Sequence, residues 1–174
     1  FAFSTENWSR PKQECDFLMD FVIKSIDEEL DYLHQHNIKL NFVRLKNNRL
    51  PSSILNKIKH AETRTENNTA LSLHIMFNYG SKQYLIDCMN RCLKESDTPI
   101  SLENFEKKLK GDVPDPDILI RTGYTKRLSN YMLWELAYTE LFFLNIYWPE
   151  FKKTHFCDIL DEYQNRARRF GGLT

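Results

Sequence analysis

Arg121 and Arg127 flank a short loop in the stretch RTGYTKRLSN, residues 121 to 130, with Gly123 between them and Ser129 just beyond. A guanidinium group grips phosphate oxygens through several hydrogen bonds of fixed geometry. Free N–H groups at a helix start near Ser129 would add to the attraction for an anion. This pattern points to a diphosphate site. The plainer alternative is that both arginines are solvated or paired with carboxylates and that Ser129 only caps a helix. A second polar cluster, Ser4, Thr5, Glu6, Asn7 and Arg10, follows the apolar residues Phe1 to Phe3. A third, Asn78, Tyr79 and Gly80, follows the apolar stretch 70–77. Glu140 lies between two apolar segments, where it would either pair with a nearby arginine or offer carboxylate oxygen to Mg²⁺, a hard cation.

The elements that must position these groups can be read from periodicity. Pro11 suits a first helical turn. Phe17, Leu18, Phe21, Val22, Ile26, Leu30 and Leu33 then recur at three- and four-residue spacing, which predicts a helix ending near His36 or Asn37. Strands are predicted at 40–44 and 70–80, the second with Leu71, Leu73, Ile75 and Phe77 on one face. Helices are predicted after Pro51, after Gly80 (with Tyr84, Leu85, Cys88, Met89 and Cys92 inward) and around Leu102, Phe105 and Leu109. Residues 117–121 read as a strand and 129–140 as a helix capped by Ser129 or Asn130. A strand at 141–151 turns at Pro149, and a last helix runs from about Lys152 to Phe170. Helices alternating with short apolar strands predict an α/β fold, a mostly parallel central sheet flanked by helices. In such sheets ligands collect at the carboxyl ends of strands, where all three polar clusters fall.

Length and charge narrow the function. A chain of 174 residues fits one domain, and no repeat or linker divides it. Equal numbers of acidic and basic residues, 24 each, give no reason to expect a nucleic-acid partner. Cys15, Cys88, Cys92 and Cys157 lack zinc-ligand spacing and read as structural thiols, and the five histidines show no HExxH pattern. No apolar run reaches membrane-spanning length. P-loop, Rossmann and nucleophile-elbow motifs are absent from these residues.

Five stretches follow one another in order: FSTENWSRP at 3–11, TENNTALSLHIMFNYGS at 65–81, DILIRTGYTKRLSNYMLWELAYTELFF at 117–143, WPEF at 148–151 and RRFGG at 168–172. Together they resemble the cis-prenyltransferase family of the undecaprenyl diphosphate synthase (isoprenyl transferase) type. The resemblance covers essentially the whole chain. It implies an enzyme that condenses isopentenyl diphosphate onto an allylic prenyl diphosphate, lengthening a cis-polyprenyl diphosphate such as a cell-wall lipid carrier. It implies that Arg121, Arg127 and Ser129 hold isopentenyl diphosphate and that Glu140 helps bind Mg²⁺. Ser4 and Asn7 would lie beside the reacting isoprenyl group, and Arg10 near the allylic diphosphate. Ala2 and apolar positions between Phe17 and Leu33 would border the hydrocarbon, with Leu71, Leu73 and Ile75 as deep wall or core. The resemblance further implies a homodimer, with Arg168 or Arg169 reaching the partner's site, in the cytoplasm with transient contact at a membrane surface.

The pattern departs from the family in places. The His-x-x-Asp-Gly-Asn-Gly-Arg motif, whose Asp serves Mg²⁺ and diphosphate, is not among these residues. The resemblance therefore implies that a preceding strand and helix belong to the fold, and that residues 1–174 by themselves are inactive. Ser81-Lys82 and Tyr124 stand where the family has Gly-Arg and Gly, and Arg44-Leu45 where it has Gly-Asp. The alternative function is a non-catalytic accessory subunit of a cis-prenyltransferase heterodimer.

Overall fold

The computed structural model describes residues 1–45, 49–95, 99–111 and 113–168. The chain forms two compact units, Phe1–Thr98 and Pro99–Thr174.

In the first unit, β1 (Phe3–Ser4) leads through a 3-10 turn (Thr5–Ser9) into α1 (Lys12–Gln35), followed by β2 (Ile38–Val43), α2 (Ser52–Thr65), β3 (Leu71–Tyr79) and α3 (Ser81–Glu95). The sheet order is β1-β3-β2 and both ladders are parallel. The core forms where the apolar stripe of α1 (Met19, Ile26, Leu30) and that of α2 (Ile54, Ile58, Ala61) meet Leu40, Phe42 and Phe77 of the strands. Ion pairs Lys57–Asp27 and Arg64–Asp31, both 2.6 Å, join the two helices at their exposed rim. Such exposed pairs contribute little, so apolar burial carries the packing.

The outer edge of β2 is closed by side chains of the α2 region. Thr65 Oγ1 accepts from the Leu40 N–H at 3.0 Å, and Glu62 Oε1 from the Phe42 N–H at 2.8 Å. Asn68 Nδ2 donates to the Ile38 carbonyl at 2.7 Å. Backbone groups that an edge strand would leave open are thereby satisfied.

Burial along β3 is graded rather than alternating. Leu71 is 57% exposed and Leu73 38%, whereas Met76, Phe77, Asn78 and Tyr79 are all buried. β1 explains this: it is two residues long and pairs only with Phe77 and Tyr79, so only the carboxyl end of β3 has strands on both sides. On α1, Phe17 and Phe21 of the predicted stripe are exposed, and on α3 Met89 faces outward while Cys88 and Cys92 are buried.

In the second unit, α4 (Leu102–Lys110) is capped by Ser101, whose Oγ accepts from the Asn104 N–H at 3.2 Å, and it buries Phe105 and Leu109. β4 (Ile118–Arg121) and β5 (Glu140–Phe143) pair in parallel, from Ile118 opposite Glu140 to Arg121 opposite Phe143. α5 (Lys153–Gln164) follows a 3-10 turn at Trp148–Glu150. Parallel ladders in both units, with helices between the strands of the first, bear out the α/β class.

Three predicted elements differ. Residues 129–140 form a series of turns up to Thr139, not a helix, because Ser129, Asn130 and Met132 all have positive φ (51°, 58° and 43°). Right-handed helix cannot pass through left-handed residues. The predicted strand 141–151 is paired only through Phe143. The last helix ends at Gln164 instead of Phe170, with residues from 169 onward outside the described set. Among the described residues no helix is long and apolar enough to cross a membrane.

Candidate functional site

Each unit places polar side chains at the carboxyl ends of its strands. In the first unit, Ser4 ends β1 and its N–H donates to Asn7 Oδ1 at 2.9 Å, which folds the 3-10 turn back on the strand. Ser4 and Asn7 are thus brought together. Trp8 packs edge-on against Phe3, ring centroids 5.0 Å apart, and donates its indole N–H to Asn78 Oδ1 at 2.8 Å. Asn78 is fully buried at the exit of β3 with φ 51°, a conformation that asparagine tolerates better than most residues. The buried Cys15 thiol approaches the Asn7 carbonyl at 3.3 Å, which ties α1 to the same turn. Arg10 faces solvent and pairs with Glu14 at 2.5 Å.

In the second unit, Arg121 is the last residue of β4. Its carbonyl accepts from the Leu144 N–H at 2.8 Å, and the Gly123 N–H donates to the Ile146 carbonyl at 2.7 Å, so the loop is pinned to the segment after β5. Gly123 has φ +91°, which only glycine adopts without strain. Tyr124, also at positive φ, lays its ring 5.1 Å from that of Tyr147.

The Arg121 side chain organises the loop. Nε donates to Thr125 Oγ1 at 2.8 Å, and Nη1 donates to Ser129 Oγ at 2.9 Å and to the Arg127 carbonyl. Arg121, Arg127 and Ser129 are therefore gathered, although no helix begins at Ser129. Its hydroxyl takes part directly, through the left-handed bend at Ser129 and Asn130. Among the described residues no carboxylate pairs with Arg121 or Arg127, in contrast to Arg10, Arg64, Arg166 and Arg168. Partial burial, and then the neighbouring Arg127 charge, lower the pKa of Arg121. Two cations this close, with no carboxylate beside them among the described residues, can together attract an anion.

Glu140 opens β5. Its carboxylate meets Arg166 Nη1 at 2.5 Å, while Arg166 Nη2 meets Glu162 at 2.5 Å and its guanidinium lies 4.1 Å from the centre of the Phe142 ring. Arg168 pairs with Asp117 at 2.8 Å and contacts the Tyr163 hydroxyl, within its own chain. Arg169 lies outside the described residues. No group of three or more acidic, histidine or cysteine side chains that could hold a metal occurs among the described residues. Mg²⁺ commonly binds through one or two carboxylates plus substrate phosphates, and the half-buried Glu140 suits one such contact.

Thr125 and Arg166 were not apparent as site residues from sequence. Thr125 lies inside the loop already marked by its arginines, whereas Arg166 is 26 positions from Glu140 and no local pattern links them. Glu135 was missed as well. It is 6% exposed, its Oε2 has no hydrogen-bond partner among the described residues, and burial raises its pKa. No disulfide joins the cysteines among the described residues, and burial pushes the Cys88 thiol up to about 11, as expected for an inert structural thiol.

Comparison with known proteins gives a consistent picture. A family model described as "Putative undecaprenyl diphosphate synthase" matches residues 1–171. An isoprenyl transferase from Fusobacterium nucleatum is 39% identical over 173 residues, spanning 99% of this chain and 75% of that protein. A ditrans,polycis-undecaprenyl-diphosphate synthase from Haemophilus ducreyi, (2E,6E)-farnesyl-diphosphate specific, is 40% identical over 179 residues, spanning 99% of this chain and 74% of that one. The crystal structure of a "probable undecaprenyl diphosphate synthase" from Campylobacter jejuni superposes with a TM-score of 0.90 at 34% identity, covering 98% of this chain and 81% of that one. Across both units, and with the arginine cradle at the end of β4, the chain belongs to the undecaprenyl diphosphate synthase family of prenyltransferases.

Proposed function

We propose that the protein is a cis-prenyltransferase that lengthens an allylic prenyl diphosphate by condensing it with isopentenyl diphosphate, releasing diphosphate. The observation that carries this reading is the cradle of Arg121, Arg127 and Ser129, charged but without a carboxylate counterpart among the described residues, in a chain matched by one family model across both units. That single match also supports treating 1–174 as one functional domain.

In this reading the cradle holds the diphosphate of isopentenyl diphosphate. Arg121 and Arg127 supply charge, and Ser129 supplies a hydroxyl whose place is set by Arg121 Nη1. Departure of the allylic diphosphate leaves a delocalised carbocation and puts negative charge on the leaving group. Arg10 stabilises that charge once it exchanges Glu14 for the substrate. The isopentenyl alkene attacks the cationic carbon, and loss of a proton then forms the new double bond. Ser4 and Asn7 position the reacting group and offer oxygen atoms to relay that proton. Mg²⁺ would be held by Glu140 together with substrate oxygens, where it would neutralise diphosphate charge. The same reading carries a homodimer, and a cytoplasmic protein that touches the membrane surface as it releases an apolar product.

The test is incorporation of labelled isopentenyl diphosphate into organic-extractable polyprenyl product by the whole protein, with farnesyl diphosphate as primer and Mg²⁺ present. Arg121→Ala and Arg127→Ala should each lose most of the isopentenyl diphosphate affinity. Binding of both diphosphates without any condensed lipid would overturn the reading and leave an accessory subunit in its place.

A further inference from the structure

The Glu140 carboxylate is already engaged, and its partner is itself held in place from two other directions. Arg166 meets Glu140 through Nη1 and Glu162 through Nη2, and its guanidinium rests 4.1 Å from the centre of the Phe142 ring. It lines a cleft of about 300 Å³ together with Phe142 and Leu144 on the strand side and Ile159 and Glu162 of α5. Glu140 and Phe142 share a face of β5 by their two-residue spacing, and Glu162 is one helical turn from Arg166. One guanidinium therefore bridges the start of the strand and the end of the helix.

We propose that Arg166 is a positioning residue that serves as an internal counter-cation for Glu140, and that a divalent cation must compete with it for the Glu140 carboxylate. This rests on the reading of Glu140 as a Mg²⁺ ligand. A carboxylate exposed to solvent adopts many rotamers, whereas Arg166 keeps this one in a single, charge-compensated position. The guanidinium does not have to leave its place when Glu140 turns to a metal, because Glu162 and the Phe142 ring still hold it. The pair thus sets the free Mg²⁺ level at which the site fills. It also keeps Glu140 from remaining as an unpaired, half-buried anion when metal is absent.

The measurement is calorimetric: the Mg²⁺ concentration that half-saturates the Mg²⁺-dependent part of isopentenyl diphosphate binding, which does not require turnover. Arg166→Met removes the charge while keeping an unbranched stem against Phe142. It should lower the half-saturating Mg²⁺ by about fivefold, the scale of one partly exposed ion pair. Arg166→Lys, which keeps the charge, should stay near the native value. Arg166→Gln provides the same reading as Arg166→Met should that variant fail to fold by circular dichroism. An unchanged or higher Mg²⁺ requirement in the charge-removing variants, with Glu140→Gln still abolishing the Mg²⁺-dependent part, overturns the role of Arg166 alone. If Glu140→Gln binds like the native protein, the metal role of Glu140 fails and this inference falls with it.

Discussion

The indole N–H of Trp8 donates to the side-chain oxygen of Asn78 across 70 positions of sequence, at 2.8 Å. The bond joins the turn carrying Ser4 and Asn7 to the exit of β3. One end is a large ring packed on Phe3, and the other is a fully buried amide in left-handed backbone. Trp8→Phe retains the ring packing and removes the donor. It should cost about 1–3 kcal/mol of stability, the range for leaving a buried polar group short of a bond. Urea unfolding of the variant beside Trp8→Ala would separate the bond from the packing.

Ser129 contributes through one hydroxyl, and its removal should be read in binding rather than stability. Ser129→Ala should raise the KM for isopentenyl diphosphate about two- to tenfold, as one modest hydrogen bond would. Ser129→Gly should behave similarly, because glycine adopts φ 51° freely. A change in melting temperature comparable to a core deletion, with KM unmoved, would count against the cradle.

Glu135 predicts a pH dependence of stability. Burial raises its folded pKa above the usual carboxyl range, so the native state binds the proton more tightly than the unfolded chain. Its contribution is most favourable below the unfolded pKa and is lost as pH rises through the folded one. Glu135→Gln should therefore be more stable than the native protein at neutral pH. The difference should vanish below about pH 4. Thermal melts of both proteins across pH 3.5 to 8 would check the sign; a native protein favoured at neutral pH would refute it.

Thr65 is fully buried and has two jobs, donating to the Ala61 carbonyl at 2.9 Å and accepting from the Leu40 N–H at 3.0 Å. Thr65→Val keeps the shape and strands the Leu40 N–H. It should cost about 1–3 kcal/mol. Hydrogen exchange at Leu40 should quicken with it, well beyond any change at Leu73 on the neighbouring strand.

What could be read from sequence was what is local. Arg121, Arg127 and Ser129 sit within nine residues on a loop between two apolar stretches, so their types and spacing alone singled them out as a cluster, and the structure gathers them. The helical stripes of α1 and α2 declared themselves because burial of one face imposes a period near 3.6 residues. The predicted helix at 129–140 failed because asparagine serves both as a helix cap and as a left-handed residue, while nothing in the types of Ser129 and Met132 announces their left-handed backbone. Glu135 falls in the same stretch, and nothing nearby signals its burial. Glu140 and Arg166 meet through the pairing of β5 with α5, which no short window contains. The grading of burial along β3 depended on how little of it β1 covers.

The closed outer edge of β2 also bears on how the protein is made. Until α2 docks, the strand 38–43 presents open N–H and carbonyl groups beside the apolar side chains of Leu40 and Phe42, the combination on which a second chain can grow. Thr65, Glu62 and Asn68 arrive later in synthesis than the groups they satisfy. Nascent chains are therefore most prone to mispair in the interval between emergence of β2 and docking of α2, and the same three side chains that finish the sheet also end that period of risk.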